Sequence, residues 1–135
     1  YTRIDQENRV IEIGHLHFSE GLQQQTAATE AMFLMMGHVF ELGYRRYEWK
    51  CDSLNLPSSR AAQRLGFSFE GVFRQARIYK GRNRDTAWFS VIDSEWTQLR
   101  RIYETWLEPT NFDSNGIQKK SLSALTKPLL KNSIS

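Results

Sequence analysis

The sequence predicts a mixed α/β fold in which a mostly antiparallel central sheet is flanked by helices. Three features predict it: a strand pair at the start of the chain, a strand that leads directly into an apolar helix, and a long hairpin in the second half. The length of 135 residues fits one domain that is large enough to bury a core.

Composition places the chain among ordinary globular proteins. Hydrophobic residues make up 40% and charged residues 24% of the sequence, and no apolar run approaches the roughly 20 residues that a membrane-spanning helix needs. A single cysteine excludes an internal disulfide and indicates a reducing compartment, so we expect a cytoplasmic protein. The net charge of +3 suits anionic ligands but is too small to indicate nucleic-acid binding by itself.

The first 18 residues predict an antiparallel hairpin. A strand-like run that ends at Asp5 and a second run from Val10 to Phe18 are joined by a charged turn. The chain opens at Tyr1 in the middle of a strand pattern, so we expect an N-terminal portion that this sequence does not include.

Glu12 stands out within the second of these strands. Its neighbours on the same strand face, Val10, Gly14 and Leu16, are apolar or small. A carboxylate on such a face is either solvated at a sheet edge or half-buried at the mouth of a site, where it suits a general base.

The stretch from Leu22 to Leu42 is a polar turn that leads into an apolar helix, predicted over Thr26–Leu42 and buried on more than one face. The first backbone N–H groups of a helix have no partner within it, and together with the helix dipole they form an anion site suited to a pyrophosphate. The small residues Thr26, Ala27 and Ala28 let a ligand approach this backbone. An ordinary strand-to-helix corner that binds nothing fits the same pattern.

A half-buried strand over 46–52 and a short helix come next. Apolar and charged residues alternate along the strand, and its Cys51 is most simply a core thiol. Pro57 ends the strand, Ser58 is a suitable N-cap for a two-turn helix, and Gly66 closes that helix.

Residues 67–92 predict a long hairpin with a bulge at Gly71, where the alternation changes phase. Its cations form a solvated face, a site for an anionic substrate or cofactor phosphate, or, with less support, an RNA-binding surface. These cations are Arg74, Arg77, Lys80, Arg82 and Arg84.

A last helix begins at Asp93–Glu95, carries one apolar stripe through Trp106 and ends at Pro109. The residues beyond it are polar and have no period. We therefore predict one domain over 1–112 and a flexible C-terminal tail over 113–135.

Several segments, in this order, carry a family resemblance. They are Thr29-Glu30-Ala31, Gly43-Tyr44-Arg45-Arg46, Trp49-Lys50-Cys51-Asp52, Asn55-Leu56-Pro57-Ser58-Ser59-Arg60-Ala61-Ala62, Leu65-Gly66-Phe67, Phe69-Glu70-Gly71 and Lys80-Gly81-Arg82-Asn83-Arg84-Asp85-Thr86. With them the chain resembles the GNAT N-acetyltransferase superfamily, in the branch similar to the RimJ/RimL ribosomal-protein acetyltransferases. The resemblance runs from Val10 to Ile92 and continues less specifically to Phe112. It implies a partial GNAT acyl-CoA N-acyltransferase fold, in which 1–112 form the C-terminal two-thirds of the domain.

The resemblance also implies acetyl-CoA as co-substrate and a set of residues that bind it. In the family, a strand pairs with the pantetheine arm, a turn cradles the pyrophosphate, and an asparagine after the next strand contacts the arm. Gln23 and Ala28 match the two ends of that turn, whereas Thr26 replaces its first glycine and crowds the phosphate. The implied cofactor-binding residues are Leu16, His17, Phe18, Gln23, Gln24, Gln25, Thr26, Ala27, Ala28, Thr29, Asn55, Ser58 and Arg60.

The implied reaction is direct acetyl transfer to a primary amine, either a protein N-terminus or a small molecule, with Glu12 as general base and without a metal. Many members use a tyrosine on the short helix as the acid, and Ala62 stands at that position here. An alternative is a non-catalytic, truncated CoA-binding remnant that forms homodimers through exposed sheet edges. A basic RNA-binding module has only charge in its favour, and we expect no membrane partner.

Overall fold

The computed structural model describes residues 1–14 and 26–131. In this part of the chain one sheet has the strand order β1-β2-β3-β5-β4. The strands are β1 (Thr2–Asp5), β2 (Val10–Glu12), β3 (Arg46–Asp52), β4 (Ser68–Tyr79) and β5 (Arg82–Ile92); the helices are α1 (Thr26–Glu41), α2 (Leu56–Arg64), α3 (Asp93–Leu107) and α4 (Leu122–Thr126). Short 3-10 turns lie at Pro109–Asn111 and Lys127–Leu129.

The sheet is mostly antiparallel, as predicted. Only β2 and β3 pair in parallel, and the other three pairings are antiparallel. A parallel pair needs a crossover connection, and α1 lies between these two strands in the sequence. The mixed α/β fold is therefore confirmed. None of the helices in the described parts of the chain has the length and apolarity needed to cross a membrane.

The apolar core lies on one face of the sheet. Tyr47, Trp49 and Cys51 alternate along β3 and are buried, opposite Phe89 and its neighbours on β5. Helix α2 contacts this face through a hydrogen bond from the indole Nε1 of Trp49 to the hydroxyl of Ser58, at 3.1 Å. The other face of the same strands carries the charged residues, because side chains alternate across a strand.

Helix α1 buries one stripe rather than several faces. Met32, Met36 and Val39 are buried, whereas Leu34 is 63% exposed. Only the side of α1 that meets the sheet and α3 is covered, so the prediction of burial on more than one face was wrong for this helix.

Gly66 forms a close contact between the end of α2 and α3. Its φ is +99°, and a Cβ at this position would lie 2.6 Å from the Cδ1 of Leu99. Next to it, the hydroxyl of Tyr103 donates a hydrogen bond to the carbonyl of Leu65, at 2.7 Å. Helix α3 therefore packs directly on the turn that leads into β4.

The segment after α3 differs from the flexible tail predicted for 113–135. Leu122 and Thr126 of α4 are fully buried, and the Thr126 hydroxyl donates to the carbonyl of Arg64, at 3.0 Å. Ser121 caps this helix by accepting from the backbone N–H of Ala124. A helix of five residues is too short to show a hydrophobic period, so only packing reveals it.

Replacing Gly66 by alanine is expected to lower the free energy of unfolding by about 2–4 kcal/mol. The change adds left-handed backbone strain of about 1 kcal/mol to a steric clash with Leu99 of about 1–3 kcal/mol. Urea unfolding measures the loss. Gly116→Ala is the matched control, because Gly116 also has positive φ (+77°) but open space around it. Equal losses in both variants would show that Leu99 does not clash.

Candidate functional site

The parallel pairing of β2 with β3 is short and ends at two glutamates. Glu12 is the register partner of Glu48, and the last hydrogen bond of this pairing within the described residues runs from the N–H of Ile13 to the carbonyl of Glu48, at 3.0 Å. Beyond this point β3 continues to Asp52 and pairs with β5. In the ranges 1–14 and 26–131, no strand pairs with the opposite edge of β3 over 50–52. The register partners Glu12 and Glu48 therefore mark the end of the β2–β3 pairing within the described residues.

Glu12 is more deeply buried than the sequence predicted. Its side chain is only 5% exposed, and Oε2 lies 3.4 Å from the Nζ of Lys50 and 3.8 Å from the Nε of Arg3. The same Oε2 atom is buried and has no hydrogen-bond partner among the described residues. Two cations thus compensate the carboxylate charge while one of its oxygens keeps its capacity to accept a proton or a hydrogen bond.

Trp88 forms the floor of this site. The Arg3 guanidinium carbon lies 5.2 Å, and the Lys50 ammonium 5.4 Å, from the centre of its ring. Phe73 packs against the same indole with ring centres 5.1 Å apart. An aromatic face attracts cations, so Trp88 helps to hold both counter-ions near Glu12.

A chain of ion pairs continues from this site to the far edge of the sheet. Arg3 donates to Glu48 Oε1 at 2.9 Å, and Arg46 Nε donates to Glu48 Oε2 at 2.8 Å. Arg46 also donates to Glu70. The hydrogen bond from Arg46 lowers the pKa of Glu70, and in turn Glu70, followed by Glu48, raises the pKa of Arg46.

Two register shifts in the sheet lie at Arg3 and Glu70, the outer residues of these ion pairs. The register of β1 against β2 shifts between Thr2 and Ile4, around Arg3, whose φ is +39°. The register of β4 against β5 shifts between Phe69 and Gly71, around Glu70. The bulge predicted at Gly71 is thus confirmed. Because an extra residue in a strand redirects its side chain, both bulges turn a charged group toward the central glutamates.

A cavity of about 220 Å³ opens over this charged face. Its walls combine aromatic rings with guanidinium and carboxylate groups. The lining residues are Arg3, Arg46, Glu48, Glu70, Gly71, Phe73 and Trp88. Sequence analysis did not assign these residues to a site; for Arg46 and Glu48 the available signal was the charged half of the alternation along β3.

The start of α1 has the features expected of an anion site. Thr26 and Ala27 are exposed, Ala28 is partly exposed, and the first turn has no acidic side chain. Thr29 is buried, and its hydroxyl accepts a hydrogen bond from Nη1 of Arg64, at 3.1 Å. An arginine of α2 therefore contacts the first turn of α1, which the sequence did not predict. The predicted residues Leu16, His17, Phe18, Gln23, Gln24 and Gln25 lie outside the described residues.

Asn55, rather than Ser58, caps α2. The Oδ1 of Asn55 accepts from the backbone N–H of Ser58, at 3.2 Å. The Ser58 hydroxyl accepts from Trp49, and Arg60 is exposed on the outer face of the helix. Pro57 suits the first turn of a helix, where its missing N–H costs nothing, so the helix begins before Ser58 and Asn55 is its N-cap.

The described residues contain no group of three or more His, Cys, Asp or Glu side chains that would hold a metal ion. Cys51 is buried, with its Sγ 3.5 Å from the hydroxyl of Ser59, as predicted for a core thiol.

Comparison with known proteins gives a consistent result. A model of the acetyltransferase (GNAT) domain family matches residues 1–68, half of the chain. A curated relative from Bacillus licheniformis, described as uncharacterized N-acetyltransferase p20, is 33% identical over 101 residues, which cover 71% of this chain and 54% of the relative.

Solved structures show the same likeness. A GCN5-related N-acetyltransferase from Brucella melitensis is 58% identical, with a TM-score of 0.88, and the match covers 93% of this chain and 57% of that one. RimL, a ribosomal L7/L12 alpha-N-protein acetyltransferase solved with coenzyme A, is 29% identical, with a TM-score of 0.59, over 67% of this chain and 52% of its own. The chain spans about half the length of the relatives it matches.

Glu70→Gln is expected to lower stability by about 0.5–1 kcal/mol at pH 7, the range for a partly exposed ion pair. The folded pKa of Glu70 lies below its unfolded value, so this contribution is present above about pH 4.3 and is lost as the pH falls through the folded pKa. Urea unfolding of the wild type and the variant at several pH values measures the difference. It should shrink between about pH 5 and pH 3, and the exposed Glu108→Gln should show no such loss. A pH-independent difference would contradict this role for Glu70.

Proposed function

Because the chain belongs to the GNAT acetyltransferase family, we propose that it transfers the acetyl group of acetyl-CoA to a primary amine. The observation that carries the proposal is the buried Glu12 on β2, whose Oε2 has no hydrogen-bond partner among the described residues. We propose that the strand edge next to Glu12 offers backbone groups to an extended ligand arm, and that the carboxylate takes the proton that a reacting amine has to lose. The proposal concerns the whole protein, of which this chain represents about half the length of its relatives.

The proposed co-substrate site is assembled from three parts of the chain. RimL was solved with coenzyme A, which supports the same ligand class here. We propose that backbone N–H groups from Gln23 to Thr29, of which Thr26 to Thr29 begin α1, bind the pyrophosphate, since the first turn of this helix lacks any acidic side chain. Residues 16–18 would pair with the pantetheine arm, and Asn55, Ser58 and Arg60 would border it from α2.

In the proposed mechanism, Glu12 accepts a proton from the acceptor ammonium, directly or through water. The free amine then attacks the thioester carbonyl, so that the new C–N bond forms as the C–S bond breaks. Backbone N–H groups after β2 would stabilise the oxyanion. Ala62 is fully buried in α2 and has no proton to give. The CoA thiolate would therefore take its proton from Glu12 or from water, which an ordinary thiol pKa allows.

The acceptor would enter by the cavity over Trp88. The charges of Arg3, Arg46 and Glu48 in this cavity are held in ion pairs and compensate one another. The rest of the lining includes aromatic rings. Such a lining accommodates a primary amine on either a peptide N-terminus or a small molecule. Both acceptor classes therefore belong to the proposal.

Acetyl-CoA at millimolar concentration is expected to raise the thermal unfolding temperature of the protein, because a ligand that binds only the folded state stabilises it.

Glu12→Gln should lower the rate of thiol release with an amine panel by about a hundredfold or more, because the variant has no general base. Glu48→Gln is the matched control: it neutralises the adjacent buried carboxylate, both oxygens of which are already bonded to arginines.

The outcomes separate the alternatives. Absence of stabilisation by acetyl-CoA would overturn the CoA site. An equal loss of rate in both glutamate variants would show that Glu12 is not the general base and that the rate depends only on the network of ion pairs. Stabilisation without thiol release from any amine would favour the non-catalytic, dimerising module instead.

Asn55 variants separate helix capping from ligand contact. Asn55→Ala should lower stability by about 1 kcal/mol through loss of the cap, whereas Asn55→Ser keeps a capping oxygen and most of that stability. If the Asn55 amide contacts the CoA arm, both variants should weaken CoA binding in titration calorimetry. Wild-type affinity in Asn55→Ser would restrict Asn55 to its capping role.

A further inference from the structure

Lys50 is a primary amine held against the proposed general base. Its Nζ lies 3.4 Å from the buried Oε2 of Glu12, and its side chain is 28% exposed. That oxygen has no hydrogen-bond partner among the described residues. The arrangement is the one that an acceptor ammonium needs before it transfers its proton to a carboxylate.

The position of Lys50 in β3 also fits a reacting group. It lies two residues beyond Glu48, the register partner of Glu12, and on the same strand face. Its register partner on β5 is Trp88, over whose ring the ammonium lies. The amine is thus fixed by an aromatic face and a carboxylate.

We propose that Lys50 is a self-acetylation site of this protein. The inference rests on the proposed function, since the acetyl donor is an acyl-CoA thioester at the edge of β3. Glu12 accepts one proton from the Lys50 ammonium, and the free Nζ attacks the thioester carbonyl. A C–N bond forms, the C–S bond breaks, and the products are an uncharged acetyl-lysine, the CoA thiol and one released proton.

The modification changes the electrostatics of the site. Acetylation removes one of the two cations near Glu12 and leaves Arg3, whose Nε lies 3.8 Å away. The neutral amide gains bulk over Trp88 while losing its cation–π attraction. Self-acetylation would therefore change the charge and the shape of the place that an external amine would occupy.

A purely structural lysine would behave differently. If Lys50 only compensates the charge of Glu12, its acetylation follows exposure, as for any lysine. Lys80 and Lys127 are exposed on the hairpin tip and after α4 and serve as internal references in the same chain.

The experiment compares two acetyl donors and reads each lysine by peptide mass spectrometry. With a small activated ester of acetic acid, exposed Lys80 and Lys127 should react faster than Lys50. With acetyl-CoA the order should invert, so that Lys50 gains an acetyl group at least about tenfold faster than either reference, with a rate that saturates in acetyl-CoA. Glu12→Gln should lower labelling of Lys50 by about a hundredfold and leave the references unchanged. Lys50→Arg, which keeps the positive charge, should remove that site alone.

Labelling of Lys50 by acetyl-CoA at or below the rate of the references would overturn the inference. The thermal shift with acetyl-CoA, measured on the same sample, separates this result from failure of the proposed function. Stabilisation without selective labelling overturns self-acetylation only, whereas absence of stabilisation overturns the CoA site and self-acetylation together.

Discussion

Two buried carboxylates on neighbouring parallel strands set the main physical constraint on this structure. Glu12 and Glu48 are register partners with 3% and 4% exposure, and like charges in this position repel each other. Such a pair persists only if cations and hydrogen bonds compensate it. Arg3 and Arg46 do so for Glu48, and Lys50 and Arg3 do so for Glu12. Each of these cations comes from a strand next to the pair or from the same strand, so the sheet cannot change register without breaking the network.

This constraint explains why the two faces of the sheet differ. One face of β3 carries Tyr47, Trp49 and Cys51 and is covered by helices, which supplies the hydrophobic stabilisation. The opposite face carries the ion pairs, which contribute little net stability when buried, because desolvation offsets their attraction. A charged network of this kind is better understood as the framework of a site than as a source of stability. The Oε2 of Glu12, which has no hydrogen-bond partner among the described residues, is consistent with that interpretation.

The edge of β3 lies next to the residues proposed to take part in acetyl transfer. Within the described residues, the β2–β3 pairing reaches Ile13 and Glu48, and α1 begins with exposed small residues and no acidic group in its first turn. Glu12 and Lys50 lie on the charged face, whereas Asn55 and Ser58 lie at the start of α2, which packs on the apolar face. In the proposed binding mode, a ligand along the edge of β3 would meet both groups. The same edge makes the proposed transfer and the proposed modification of Lys50 parts of one geometry.

Sequence alone predicted the order of the elements through α3, the bulge at Gly71 and the burial of Cys51, because these depend on local period and residue type. It did not identify the N-cap at Asn55 or the packing of Leu122 and Thr126, since a cap is chosen by the helix start and a five-residue helix has no visible period. The tertiary structure alone decided which cations reach Glu12. Arg3, Lys50 and Trp88 lie far apart in the chain, and only strand register and two bulges bring them to one face. Pairing between strands that are distant in the sequence is a long-range property, and the alternation within one strand does not show which residues of another strand it faces.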